Sequence, residues 1–189
     1  MSANRDFFNS AAQDWHSRRR PDVENADIML RLSCLRPGLR ILDAGCGAGF
    51  LTPFLLQSEP ERIIGVDYAE NMIRAARENC ADPRTQFICR DITLTGQALP
   101  DCDFCVCYNS FPHFSDPAAA VENLARAIVP GGRLTVSHTQ GKRTADGAAP
   151  ERGTPAAGLV RLMEPYFRLD AVIDSNAMFL VSGIRYDMP

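Results

Sequence analysis

The chain has 189 residues and a mass of 20.8 kDa, with 46% hydrophobic and 23% charged residues. That length suits one domain, and the composition excludes disordered, collagen-like and membrane-embedded classes. Its 20 basic and 23 acidic residues leave a net charge of -3, so no global field draws it to nucleic acid or anionic lipid.

Residues 1–20 form an N-terminal lid segment on this reading. Phe7, Phe8 and Trp15 are too apolar for a free tail, while Asn4, Asn9, Ser10 and Gln13 are too polar for a permanent core helix. No basic, then apolar, then small-residue signal layout appears, and no apolar run approaches the roughly 20 residues that span a bilayer. A cytoplasmic protein with no membrane partner is expected. Seven scattered cysteines fit a reducing compartment as free, small hydrophobes.

Residues 21–189 read as a single domain. A helix over 21–35, with Ile28, Leu32 and Leu35 on one face, is closed by Pro37-Gly38. Strands then alternate with helices: strand 40–44, helix 49–57, strand 62–66, helix 69–79, strand 85–89, strand 103–108, helix 117–128 and strand 133–138, the last introduced by Pro130-Gly131-Gly132. Alternation of this kind implies right-handed crossovers and a mainly parallel sheet with helices on both faces, an α/β fold. Residues 139–157 lack apolar periodicity and read as a mobile loop. After a helix near 157–164, strands at 166–174 and 177–186 are joined by Asp174-Ser175-Asn176. That link is too short for a crossover helix, so the last pair must be antiparallel.

The sharpest local signal is Asp43-Ala44-Gly45-Cys46-Gly47-Ala48-Gly49, a strand running into a glycine loop that opens a helix. Glycines let backbone N–H groups approach a ligand, and the helix N-terminus adds partial positive charge. A dinucleotide fingerprint wants G-x-G-x-x-G, but here the third position falls on Phe50. Asp43, two residues before the first glycine, would sit badly beside a pyrophosphate and suits a ligand carrying an ammonium and a sulfonium. Asp67 ends the second strand, where a carboxylate can accept from both ribose hydroxyls. Asp91 follows the third strand, and an acceptor there beside a backbone N–H can read an adenine edge. Alone, Asp91 reads equally well as a turn or N-cap aspartate.

Through DAGCGAG, GVDYAENM, CRDI, CYNSFPHF and LARAIVPGGRL, the chain resembles the class I S-adenosylmethionine-dependent methyltransferases. The resemblance implies a Rossmann-like seven-stranded sheet in order 3-2-1-4-5-7-6, with the last strand antiparallel. It implies S-adenosyl-L-methionine as cofactor, with S-adenosyl-L-homocysteine as product. Asp43, Gly45, Cys46, Gly47 and Gly49 would hold the methionine end and Asp67 the ribose. Tyr68 and Met72 would face the adenine, Asp91 and Ile92 would meet its edge, and Asn109 would line the methyl-transfer zone.

Cys102, Cys105 and Cys107 resemble a metal cluster, but alternation along a strand and the lack of a second close pair favour buried thiols, and no metal is expected. His113 and His138 follow the fourth and fifth strands and are candidates for the general base of an oxygen or thiol acceptor, with a pKa near 6.5. His16 is a weaker third candidate. Arg18-Arg19-Arg20 reads as a solvated face. The reading that results is methyl transfer to a small-molecule acceptor by a monomer or homodimer that binds no nucleic acid. An NAD(P)-dependent oxidoreductase and a non-catalytic S-adenosylmethionine-binding protein are the alternatives.

Overall fold

The computed structural model describes residues 3–12, 23–139 and 156–187. Its centre is a seven-stranded sheet in the order β3-β2-β1-β4-β5-β7-β6. The strands are β1 (Arg40–Ala44), β2 (Arg62–Asp67), β3 (Thr85–Cys89), β4 (Cys102–Tyr108), β5 (Ile128–His138), β6 (Phe167–Asp174) and β7 (Phe179–Arg185). The first five run parallel, and β7 pairs antiparallel with both β5 and β6, the order and sense expected above. Six α-helices accompany them among the described residues: α1 (Ala3–Ala11), α2 (Val23–Leu32), α3 (Thr52–Leu56), α4 (Glu70–Asn79), α5 (Pro117–Ala127) and α6 (Ala156–Met163).

The period of two along each strand divides the core between the two faces of the sheet. Leu42, Ala44, Ile64, Val66, Cys105 and Cys107 lie on one side with Val121 and Leu124 of α5 and Leu159 of α6. Ile41, Ile63, Phe104 and Val106 lie on the other with Met29 of α2 and Leu55 of α3. Full burial of each such leucine or isoleucine stabilises the fold by about 1.5–3 kcal/mol, which is why the apolar runs set the strand positions so sharply. Cys102, Cys105 and Cys107 are buried in this core as free thiols. α5 begins where Asp116 accepts from Ala119 N at 3.0 Å with Pro117 in the first turn, a cap worth about 1 kcal/mol.

Three elements differ from the sequence expectation. α2 ends at Leu32 rather than at residue 35 and buries Ala26 and Met29, while Ile28 and Leu32 of the expected apolar face are exposed. α3 starts at Thr52 rather than at residue 49, because Gly49-Phe50-Leu51 stay in the turn that follows the glycine loop. β5 starts at Ile128 rather than at residue 133. Pro130-Gly131-Gly132 lies inside it as an irregularity, where the partner of β4 jumps from Ile128 to Arg133 and Gly131 takes φ +77°.

The carboxyl ends of β1 and β4 diverge. Their pairing runs Ile41 with Phe104, Leu42 with Cys105 and Asp43 with Val106, and goes no further. The chain order reverses at this pair, so the crevice beyond it is the place where open α/β sheets bind ligands.

Candidate active site

The glycine loop rises from the end of β1 into that crevice. Gly45, Gly47 and Gly49 adopt φ of +78°, +53° and +84°, which no other residue type adopts so cheaply. The loop is pinned to β2, since both Gly45 N and Cys46 N donate to Val66 O. It also runs very close over that strand: a Cβ on Gly65 would lie 2.6 Å from the Phe87 ring and 2.9 Å from Cys46 Sγ. Gly65 is thus a requirement that the sequence reading missed, and a glycine in mid-strand beside the loop motif was its signal.

Asp43 is 2% exposed, and its Oδ2 has no hydrogen-bond partner. Burial, with the nearby charge of Asp67, pushes its carboxyl up to about 7. Asp67, 8% exposed, accepts from Gly47 N at 3.0 Å and Ala69 N at 2.8 Å. Burial still raises its carboxyl above the ordinary range despite those amides. A buried carboxylate oxygen without a donor beside a second buried acid is costly unless something cationic or hydrogen-bond donating meets it. The ammonium and sulfonium of S-adenosylmethionine fit that requirement, and the two acids lie near the carboxyl ends of adjacent strands as a nucleoside site needs.

The remaining candidates spread along the same edge. Tyr68 packs edge-to-face with Phe8 of α1, with ring centroids 6.2 Å apart, and its buried hydroxyl also has no partner. Met72 lies below the surface at 1% exposure among Ala12, Ala48 and Ala69, so it supports the loop from beneath. Asp91 Oδ1 accepts from Thr93 N and Thr93 Oγ1, the turn arrangement weighed above. Ile92 sends its side chain into the core and its carbonyl to Asn123, which makes the N–H the group it can offer a ligand. Asn109 adopts φ +55° and turns its amide oxygen toward the end of β5, accepting from Thr139 N at 2.9 Å.

His113 closes a 3-10 turn (Phe111–His113) after β4, and Phe8 meets its ring edge-to-face at 5.1 Å. His138 ends β5 with its ring 5.1 Å from that of Phe179. The two imidazoles come close enough to interact electrostatically. Burial, and secondarily His113, lowers His138 to about 4 rather than the 6.5 expected from the sequence. His16, Trp15 and Arg18-Arg19-Arg20 lie outside the described residues, as does most of the 139–157 loop.

α1 covers this edge from above. Asn9 Oδ1 accepts from Asn71 N at 3.0 Å, Asn71 Nδ2 donates to Asn9 O at 2.9 Å, and Ala12 is buried against Ala48 and Ala69. Asn9 therefore serves one of the unpaired N–H groups at the start of α4. Sequence periodicity alone gave no sign of this reciprocal pair. Two cavities, of about 390 and 400 Å³, open at the amino ends of the strands and touch none of these acids.

An open sheet of this order, with a glycine loop and two buried acids at its switch point, defines a nucleoside-binding α/β protein. Residues 41–132 match the methyltransferase domain family. The ubiquinone biosynthesis O-methyltransferase of Alkalilimnicola ehrlichii is 33% identical over 103 residues, covering 53% of this chain and 41% of that protein. The malonyl-[acyl-carrier protein] O-methyltransferase of Acetivibrio thermocellus is 29% identical over 133 residues, covering 69% of this chain and 47% of that one. The chain thus spans less than half the length of these relatives. A SAM-dependent methyltransferase from Aquifex aeolicus superposes with a TM-score of 0.79 at 21% identity, over 94% of this chain and 98% of that one. Residues 41–132 are thus similar to a methyltransferase domain, and the whole chain shares the fold of that S-adenosylmethionine-dependent methyltransferase.

Proposed function

We propose that the protein transfers a methyl group from S-adenosyl-L-methionine to a small-molecule acceptor. The observation that carries this reading is the buried, partnerless Oδ2 of Asp43 at the foot of the glycine loop, one strand away from Asp67. When bound, the cofactor supplies an activated methyl on a cationic sulfur. The chain's own residues bind, orient and exclude water. Asp43 and the glycine-loop amides hold the methionine end, and Asp67 accepts from the ribose while keeping the loop in place through Gly47 N. Tyr68 and Ile92 flank the base. Orientation and desolvation of the two reactants provide most of the rate enhancement.

His113 and His138 face the acceptor side, and the ring of His138, neutral above pH about 4, is available to take a proton from an acceptor hydroxyl. Both relatives described above are named O-methyltransferases, which favours an oxygen acceptor. No helix among the described residues is long and apolar enough to cross a membrane, and the cysteines are free, in keeping with a reducing cytoplasm. A net charge of -3 favours a small molecule over nucleic acid, and the protein acts as a monomer or homodimer on this proposal. S-adenosylhomocysteine release is measured against phenols, thiols, amines and carboxylates. Turnover of one class supports the proposal; tight cofactor binding without turnover of any class favours a non-catalytic binding protein.

A further inference from the structure

Ser110 holds a position that the glycine loop and the acids do not explain. It precedes the Phe111–His113 turn as its N-cap, yet its hydroxyl makes no capping bond. Instead Ser110 Oγ donates to Ala44 O at 2.6 Å, across 66 residues of chain and fully inside the protein. Ala44 is the first residue of β1 beyond the last β1–β4 pair, Asp43 with Val106. The serine side chain therefore bridges the two strands where their ladder has stopped, at the mouth of the crevice.

Three further features converge on this contact. Asn109 takes φ +55°, an uncommon conformation for a residue with a side chain, and so turns Ser110 toward β1. A Cβ on Gly45 would stand 2.3 Å from Ser110 Cβ, so the loop and the serine fit against each other with no slack. Ser110 O then accepts from His113 N at 3.0 Å, which sets the turn that presents the imidazole. One residue thus touches the strand end that leads into the glycine loop and also the turn that bears the acceptor-side histidine.

We propose that Ser110 is a positioning residue for methyl transfer, holding the His113 turn at a fixed distance from the glycine loop. The proposal rests on the function given above. It predicts that Ser110 governs the relative placement of donor and acceptor rather than the affinity of either, and a misplacement of about 1 Å is enough to cost a hundredfold in rate.

Ser110→Ala in the full chain tests this without an identified acceptor. Amide hydrogen exchange at His113 and Phe114, whose N–H groups close the turn, is expected to speed up at least tenfold, while α4 exchanges as in the wild type. The His113 ring signal should shift or broaden in an imidazole nitrogen NMR spectrum, and S-adenosylhomocysteine affinity should stay within threefold. Ser110→Cys keeps the volume and a weak donor, gives intermediate values, and serves alone if the alanine variant does not fold. Unchanged exchange and an unmoved His113 signal would overturn the proposal, as would a loss of affinity larger than the local loosening. Wild-type protein that binds no S-adenosylhomocysteine would instead overturn the function on which the proposal rests.

Discussion

Asp43 and Asp67 lie near the carboxyl ends of neighbouring parallel strands with both carboxyls buried, and the charge of Asp67 helps to hold a proton on Asp43. The ordinary carboxyl value of 3.8 rises to about 7 at Asp43, so in the folded protein this group binds a proton that the unfolded chain has released. That proton stabilises the fold fully below pH 3.8, and the contribution is lost as pH rises through about 7. Relative to Asp43→Asn, the wild-type thermal midpoint should therefore fall between pH 4 and pH 7, as read by calorimetry of the ligand-free protein. Affinity for the cationic cofactor should move the other way, rising by up to about tenfold per pH unit below pH 7 and levelling above it. Affinity that is flat over this range would mean that Asp43 does not face the positive charge.

Gly45→Ala should destabilise the protein by about 1–3 kcal/mol, because the new methyl meets Ser110 at 2.3 Å and the backbone stays at φ +78°. Urea unfolding checks the value, and a change within about 0.5 kcal/mol would show that the loop relaxes freely.

His138 is expected to stay uncharged in its folded environment. Its depressed value of about 4 means that stability from the neutral ring is present above pH 6.5 and lost as pH falls through about 4. If this ring takes the acceptor proton, His138→Asn lowers turnover by about 100- to 10,000-fold, and the wild-type rate shows no imidazole-like step near pH 6.5 from this group. Near wild-type turnover in the variant leaves His138 as a packing partner of Phe179.

Asn9→Ala removes the acceptor of Asn71 N and should cost about 1 kcal/mol at the α1–α4 contact. That corresponds to roughly fivefold faster amide exchange in α1, with exchange in β4 and β5 unchanged. Equal exchange in both proteins would indicate that Ala12 and Phe8 hold the helix without it.

The strand positions, the antiparallel last pair and the carboxyl-edge acids were legible because they rest on local rules, whereas the strand order came from the family resemblance. Apolar alternation placed β1, β2 and β4, and a link of a few residues before Phe179 forced the antiparallel pair. Asp43, Asp67 and the glycines announced themselves by spacing against a strand end. What could not be read depends on contacts between distant residues. The reach of Ser110 to Ala44, the Asn9–Asn71 pair and the ring of Phe87 over Gly65 each join segments 22 to 66 residues apart. The value at His138 likewise comes from burial beside Phe179, which a strand-end histidine in a sequence does not reveal. The adenine-facing reading of Met72 came from the family resemblance alone, and the fold buries its side chain among Ala12, Ala48 and Ala69.

The central claim is tested most directly by titration calorimetry of S-adenosylhomocysteine and of NAD into the wild type and Asp67→Ala. The account predicts saturable binding of S-adenosylhomocysteine to the wild type. It predicts a loss of about 2–4 kcal/mol, roughly 30- to 1,000-fold, in the variant as the ribose hydroxyls lose a charge-assisted partner, and no heat from NAD. Binding of NAD with none of S-adenosylhomocysteine, or equal S-adenosylhomocysteine affinity in both proteins, would contradict it.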